Sequence, residues 1–156
     1  KVIDTLKINW GLTHMEVFLT EQGPLFGEIA LRPPGGYLMQ LLEASYGFSS
    51  WDAYVAMELD LPFVFPEQAQ AYSAACVFHP GSGVLHKVEN WQQALALPGV
   101  FKGKLKRDQG ASIAQRGSVG EDVGYLLLQN SDSHTLIKHV DWILANVKFD
   151  IESDLH

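Results

Sequence analysis

Residues 14–36 read HMEVFLTEQGPLFGEIALRPPGG. From Thr13 to Thr20 the residues alternate strictly between two faces, which is the two-residue period of a β-strand. Glu21-Gln22-Gly23-Pro24 is a turn signal, and residues 25–30 return as a second strand. The stretch therefore predicts an antiparallel β-hairpin, within a segment 1–31 that we expect to be built of strands.

Two glutamates lie inside the otherwise apolar strands of this hairpin. A carboxylate at such a position costs free energy unless it is paired or bound to a metal. Glu16 and Glu28 share a face of the hairpin if the loop holds an odd number of residues, such as Glu21-Gln22-Gly23. Together they would suit Mg²⁺, which takes oxygen ligands and keeps several waters. An even loop would place them on opposite faces, and one glutamate would then simply face solvent.

An arginine and two glycines follow the second strand. Arg32 could hold a phosphate or a carboxylate in a bidentate grip beside such a metal site. Gly35 and Gly36 come just before a predicted helix, where exposed backbone N–H groups suit an anion. The alternative for these residues is a surface arginine and an ordinary strand-to-helix turn.

Two helices are predicted next. The first covers residues 37–46 and ends at Gly47, a typical C-cap residue. Ser49 has the spacing of a capping residue for a second helix that runs to about residue 60. We expect this helix to turn Trp51, Val55 and Leu59 inward.

The stretch of residues 63–70 is the best candidate for a linker, because short strands resume after it. The sequence then predicts a first unit over residues 1–62 and a small α/β unit over residues 71–156. Within the second unit we predict strands at 71–79, 84–88, 100–105, 123–129 and 148–151, and helices at 90–96 and 134–146. The whole chain is thus expected to be α+β.

Composition excludes several classes of protein. The chain has 156 residues, of which 47% are apolar and 19% charged, so it is expected to be globular. The net charge of −7 argues against a nucleic-acid partner and against docking on an anionic membrane. No apolar run is long enough for a membrane span. The single cysteine, Cys76, excludes an internal disulfide framework and fits a cytoplasmic protein.

The run from His14 to Gly36 closely resembles the metal-binding end of the ATP-grasp superfamily. In that family, a Glu on one strand and a Glu on the next hold Mg²⁺ between the phosphates of ATP. Glu16 and Glu28 match these two ligands, and Arg32 matches the arginine that meets the transferred phosphate or the substrate carboxylate. Ala30 stands where many members carry a third ligand, an asparagine.

The remainder looks like the L-amino-acid ligase branch of the superfamily and its carboxylate–amine ligase neighbours. The Pro-Pro-Gly-Gly run followed by a leucine-rich helix is typical of that branch. Residues 71–147 are similar to its small C-terminal domain, on the strength of the FHPGSGV run at 78–84 and the LPGV run at 97–100. These marks are structural in that domain, so the resemblance assigns no catalytic residue there.

The resemblance implies the C-terminal portion of an ATP-dependent carboxylate–amine ligase that works through an acyl phosphate. It implies ATP and Mg²⁺, or Mn²⁺ in its place, as cofactors, and a small carboxylic acid and an amine as substrates. Gly35 and Gly36 would contribute to the phosphate site. The implied partner is the N-terminal half of the same polypeptide, because no lysines, flexible loop or adenine contacts of that half precede Lys1, where the chain begins without Met. We therefore expect the chain to be inactive alone, and a homodimer remains open.

Two other classes of function fit parts of the same pattern. One is a non-catalytic module used for assembly or dimerisation. The other is a metal hydrolase built on His14, Glu16 and Glu28, because His14 shares the strand face of Glu16.

Overall fold

The computed structural model describes residues 1–118 and 120–152. Within these ranges the helices are α1 (Val2–Thr5), α2 (Leu38–Tyr46), α3 (Ser50–Glu58), α4 (Trp91–Leu95) and α5 (Ser133–Asn146). The strands are β1 (His14–Thr20), β2 (Gly23–Ala30), β3 (Tyr72–Phe78), β4 (Gly83–Glu89), β5 (Val100–Leu105), β6 (Ser112–Ile113), β7 (Gly124–Asn130) and β8 (Lys148–Glu152). The observed strand pairings are all antiparallel, and the predicted α+β class is confirmed.

The first 13 residues correct the expectation of strands throughout residues 1–31. The chain begins with the short helix α1, and the N-terminal amine of Lys1 lies 3.2 Å from a carboxylate oxygen of Asp4. β1 and β2 form a sheet of two strands, and residues 1–13 contain no strand that joins it. Within residues 1–31, strands therefore form only where the hairpin turn brings β1 and β2 side by side.

Helices α2 and α3 form where the capping residues predict them. Gly47 ends α2 with φ +73°, the left-handed conformation that glycine adopts without strain. Ser49 caps α3, because its hydroxyl oxygen accepts a hydrogen bond of 3.2 Å from the backbone N–H of Asp52.

The inward face predicted for α3 is wrong. Trp51, Val55 and Leu59 are 48%, 52% and 62% exposed, whereas Ser50 and Ala53 are buried. The Glu43 side chain on α2 accepts hydrogen bonds from both the backbone N–H and the hydroxyl of Ser50, at 3.0 and 2.9 Å. This contact fixes the rotation of α3 and turns its small residues toward α2.

The main core lies in the second half of the chain. We call the three-stranded sheet of order β3-β7-β5 the main sheet. It carries α5 on one face, and β7 is its central strand. The core side chains include Leu126 and Leu128 of β7 with Leu136, Ile143 and Val147 of the last helix region. The amphipathic pattern predicted for residues 134–146 is therefore confirmed, and the carboxylate of Asp132 caps the helix by accepting from the N–H of Thr135 at 2.8 Å.

A second three-stranded sheet has the order β6-β4-β8. Leu85, Ile113 and Val123 form its small buried cluster. β8 realises the strand predicted at residues 148–151 by pairing with β4. In the described part of the chain, no helix has the length and hydropathy that crossing a bilayer requires.

The segment predicted as a linker, residues 63–70, contains no helix or strand. Contacts nevertheless connect α2 to β3 across it. The hydroxyls of Ser45 and Ser73 lie 2.7 Å apart, and Ser73 also donates to the carbonyl oxygen of Leu41 at 2.9 Å. The division into two units at this linker stays a prediction, and these bonds tie the C-terminal end of α2 to the main sheet.

Candidate functional site

The two glutamates of the hairpin lie directly opposite each other. The register pairs Glu16 with Glu28, and both side chains are exposed. An odd number of loop residues was expected to bring the two glutamates to one face, but the loop is even. Thr20 pairs with Gly23, so the loop holds only two residues. A bulge in β2 adds the extra residue and brings the glutamates to one face.

Gly27 is the extra residue of this bulge. The register passes from Val17 opposite Phe26 to Glu16 opposite Glu28, and it skips Gly27. A Cβ atom on Gly27 would lie only 3.0 Å from the carbonyl oxygen of Glu16. Any larger residue would therefore push the backbone at the point where the glutamates meet.

The donor set at this position fits Mg²⁺. Cross-strand neighbours have Cβ atoms about 5 Å apart, so both carboxylates can reach one cation. Mg²⁺ binds through one or two carboxylates and fills its remaining positions with waters and substrate phosphates. His14 lies two residues before Glu16 on the same strand, opposite Ala30. Among the residues that the structure describes, no three His, Cys, Asp or Glu side chains are grouped as a metal site, so the trio with His14 does not form one.

Arg32 lies two residues beyond the end of β2. Its Nη1 atom donates a hydrogen bond of 3.0 Å to the carbonyl oxygen of Pro33, and the side chain is exposed. The remaining guanidinium donors can therefore meet an anion from solvent.

Gly35 and Gly36 form the approach to α2. Both are exposed, and neither has a heavy atom within 4 Å of where a Cβ would stand. Gly36 has φ +64° and Tyr37, the N-cap residue, has φ +71°. Two successive left-handed residues turn the chain into the helix, and the N–H of Leu38 is bonded to the carbonyl of Gly35 at 3.2 Å. The glycine pair thus leaves open space beside a helix N-terminus.

Sequence reasoning missed a polar cluster that contacts this glycine loop. The Tyr37 hydroxyl donates to the Asp122 carboxylate at 3.1 Å, and Lys106 Nζ donates to the same carboxylate at 2.7 Å. The Tyr37 ring packs against that of Tyr125 with 4.2 Å between centroids. The only sequence signal was a charged residue at the end of an apolar strand, since Lys106 follows β5 and Asp122 precedes β7.

The surroundings of this cluster raise the pKa of the Tyr37 hydroxyl and that of the Lys106 ammonium. Burial raises the pKa of Tyr37, and the neighbouring Asp122 carboxylate raises it further despite the opposing effect of Lys106. Burial lowers the pKa of Lys106, but the contacts with Asp122 and Tyr37 outweigh it and leave a net increase. Lys106 also lies 5.6 and 5.7 Å from the ring centroids of Tyr37 and Tyr125, within range of cation–π attraction.

A cleft of about 430 Å³ opens between the glycine loop and the main sheet. Pro34 to Tyr37 line one wall, and Lys106 and Asp122 line the other. Trp51 and His79 also face it. The cleft therefore places the glycine loop and a lysine around one space of small-molecule size.

Cys76 is buried at 3% exposure in β3, as expected. Burial raises the pKa of its thiol to about 11, so it is protonated and unreactive at neutral pH.

Comparison with known proteins agrees with this geometry. Residues 76–152 match the family model described as L-amino acid ligase C-terminal domain 2. The structure of an L-amino acid ligase from Bacillus licheniformis superposes with a TM-score of 0.80 at 15% identity, over 97% of this chain and 38% of that one. A phosphoribosylglycinamide synthetase from Anaerococcus prevotii superposes with a TM-score of 0.72 at 16% identity, over 96% of this chain and 39% of that one.

Among curated proteins, the uncharacterized protein y4rH of Sinorhizobium fredii is 24% identical over 164 residues. The match covers 100% of this chain and 33% of that protein. The chain thus spans about a third of the curated relative and about two fifths of the solved structures.

The fold is that of the C-terminal part of the ATP-grasp enzymes. Within it, residues 76–152, just under half of the chain, match the family model of the L-amino acid ligase C-terminal domain 2. The fold expected from the resemblance of residues 14–36 and 71–147 is therefore confirmed.

Proposed function

We propose that this chain is the C-terminal portion of an ATP-dependent carboxylate–amine ligase that acts through an acyl phosphate. The observation that carries the proposal is the register of the hairpin, which sets Glu16 opposite Glu28 in a fold shared with ATP-grasp enzymes. The structural match to an L-amino acid ligase supports an amino-acid-type substrate.

Each site residue has a defined task in this reaction. Glu16 and Glu28 would hold Mg²⁺, and the cation would supply neutralisation of the charge on the ATP phosphates. Arg32 stabilises negative charge on the transferred phosphoryl group or on the substrate carboxylate. The N–H groups of Gly35 and Gly36 donate hydrogen bonds to phosphate oxygens at the helix N-terminus. The substrate carboxylate attacks the γ-phosphorus of ATP, which forms the acyl phosphate and releases ADP. The amine then attacks the acyl carbon, loses a proton to solvent and expels inorganic phosphate, so the protein needs no nucleophile of its own.

The rest of the active site belongs to a longer polypeptide in this proposal. The relatives are two and a half to three times as long as this chain, judging from the shares that it covers. Their additional length would supply the adenine contacts and phosphate-binding lysines, and it would line the pockets for the acid and the amine. We propose a cytoplasmic location, small-molecule substrates and Mg²⁺ or Mn²⁺ with ATP, and we expect little turnover from the chain alone.

The test of function uses a polypeptide that contains this chain together with its N-terminal half. Phosphate release is measured across pairs of amino acids with ATP and Mg²⁺. We expect Glu28→Gln to reduce turnover at least a hundredfold, because one of two carboxylate ligands is lost. Glu21→Gln is the matched control, since Glu21 lies in the turn of the same hairpin and has no carboxylate opposite. Unchanged turnover in Glu28→Gln would rule out the proposed function.

The chain by itself offers a second test. Calorimetry with Mg-ATP is expected to show weak binding, because only the phosphate end of the nucleotide finds a partner. Micromolar affinity would contradict the assignment of the adenine contacts to the missing portion.

One observation favours an assembly module as the second candidate. The face of the hairpin opposite the glutamates carries Met15, Val17 and Phe26, which are 45%, 43% and 48% exposed. Exposed apolar patches often mark interaction sites. Sedimentation of the chain over a range of concentrations separates the two, since a module for dimerisation predicts a dimer and the ligase fragment does not require one.

A further inference from the structure

We propose that Tyr37, Asp122 and Lys106 form a latch by which the main sheet positions the Gly35–Gly36 loop. These three residues are positioning residues, since they act on a candidate phosphate-binding loop and not on phosphate. The significance of the loop for ATP rests on the proposed function, whereas the latch itself rests on contacts within the chain.

Asp122 is the member of the latch whose position the main sheet fixes. Its side chain is 3% exposed, and the residue beside it is held by backbone bonds on two sides. The N–H of Val123 donates to the carbonyl of Phe78 at 2.9 Å, and the N–H of Lys106 donates to the carbonyl of Val123 at 2.8 Å. The carboxylate is thus held in place by the ends of three strands, β3, β5 and β7.

Lys106 is the charged partner of the buried Asp122 side chain. An isolated buried carboxylate is strongly disfavoured, and an ion pair with additional hydrogen bonds offsets that cost. The ammonium pairs with Asp122 at 2.7 Å and lies over the faces of both tyrosine rings. The same carboxylate accepts the hydrogen bond of the Tyr37 hydroxyl at 3.1 Å.

Tyr37 connects Asp122 to the glycine loop, because it directly follows Gly36 and its hydroxyl is bonded to Asp122. It is a bulky residue in the left-handed region, with φ +71°, directly after Gly36 at φ +64°. Such a backbone conformation is strained for tyrosine and persists only when its surroundings impose it. The stack on Tyr125 and the hydroxyl bond to Asp122 supply that constraint. Release of Tyr37 therefore frees the glycine pair beside it.

The latch is not needed to hold α2 itself. The other end of the helix is tied to the main sheet by Ser45 and Ser73, independently of Tyr37. Loss of the hydroxyl bond should therefore change the order of the loop while the helix and the sheet persist. This separation distinguishes a positioning role from a general structural one.

The experiment measures backbone order by ¹⁵N relaxation on the labelled chain, without nucleotide. Tyr37→Phe removes one hydroxyl and keeps the ring stack, and Asp122→Asn keeps an acceptor but removes the charge. Tyr72→Phe is the matched control, because Tyr72 is 55% exposed on β3. If Asp122→Asn fails to fold, Tyr37→Phe alone decides the outcome, since its volume change is small.

We expect the order parameters of Gly35 and Gly36 to fall from about 0.85 toward 0.6 in Tyr37→Phe, while those of α2 and β7 stay constant. The control should leave the loop unchanged. Unaltered order of both glycines in Tyr37→Phe would overturn the latch, and so would an equal loss of order throughout the main sheet. The result does not depend on ligase activity, so a failed turnover test with an intact latch would refute the proposed function alone.

Discussion

Glu28 faces Glu16 across an exposed hairpin, and this arrangement predicts that Glu28→Gln stabilises the hairpin when no cation is present. Like charges directly opposite in a strand pair destabilise it by about 0.2–1 kcal/mol. Coulomb's law gives a similar figure, about 0.8 kcal/mol for charges roughly 5 Å apart in water. Removal of one charge should therefore raise the free energy of opening the hairpin by about 0.5 kcal/mol.

A divalent cation should reverse the sign of the difference in hairpin stability between Glu28→Gln and wild type. A ligand that binds only the folded hairpin, at a free concentration ten times its Kd, adds about 1.4 kcal/mol to stability. Wild-type chain in saturating Mg²⁺ should thus become more stable than Glu28→Gln, which lacks half of the carboxylate pair. The substitution is therefore stabilising in chelator and destabilising in Mg²⁺.

The assay must report on the hairpin alone. β1 and β2 pair only with each other in the described chain, and the core clusters contain none of their residues. Native-state hydrogen exchange of the hairpin amides therefore measures local opening more directly than global unfolding does. We expect exchange in chelator to slow about twofold in Glu28→Gln, and exchange of wild type to slow about tenfold in Mg²⁺.

Glu21→Gln again serves as the control, because it changes the net charge by the same amount in the same hairpin. Two results would refute the reasoning. Equal exchange of wild type and Glu28→Gln in chelator would show that the carboxylates do not oppose each other. An equal effect of Mg²⁺ on both proteins would show that the pair is not its binding site.

Three further predictions concern the rest of the chain. Gly81 and Gly99 both follow a proline and have φ +107° and +90°, but a Cβ would meet open space at Gly81 and the carbonyl oxygen of Gln129 at Gly99. Gly81→Ala should lower the free energy of unfolding, measured in urea, by about 1–2 kcal/mol. Gly99→Ala should lower it by about 1–3 kcal/mol more, and equal losses would contradict the close approach at Gly99. Cys76 should resist thiol reagents in native buffer and react fully in urea, and rapid native labelling would contradict its burial. Because the folded pKa of Tyr37 is raised, the native state keeps a proton that the unfolded chain loses, so the free energy of unfolding should fall as pH rises above about 10, and less steeply in Tyr37→Phe.

Local signals predicted most of the secondary structure. The strand at Val100–Leu105 was predicted to the residue, and the cap at Ser49 was found where its spacing placed it. Caps and strand periods depend on residues within a few positions of one another, so a single sequence contains them. The strands expected before residue 14 failed because a strand also needs a partner, which the local pattern does not record.

The orientation of α3 shows the limit of a periodic pattern. Its apolar residues suggested an inward stripe through Val55, but the bond between Glu43 and Ser50 turned that stripe to solvent. The helix has no strongly amphipathic pattern to oppose such a contact. A single tertiary hydrogen-bond pair could therefore set which face is buried.

The sequence by itself determined which residues could form the candidate site. It identified Glu16, Glu28 and Arg32, the glycine pair and the likeness to ATP-grasp enzymes, because these signals lie within 23 consecutive residues. It left open whether the glutamates share a face. That depends on the sum of loop length and bulges, which the residue pattern alone does not fix.

Only the tertiary structure decided how the site is assembled. The bulge at Gly27 offsets the two-residue loop and sets the carboxylates opposite each other. The bond from Tyr37 to Asp122 joins residues 85 positions apart and connects the glycine loop to the main sheet. Neither feature has a local signature, because both arise from which backbones approach when the strands and helices pack.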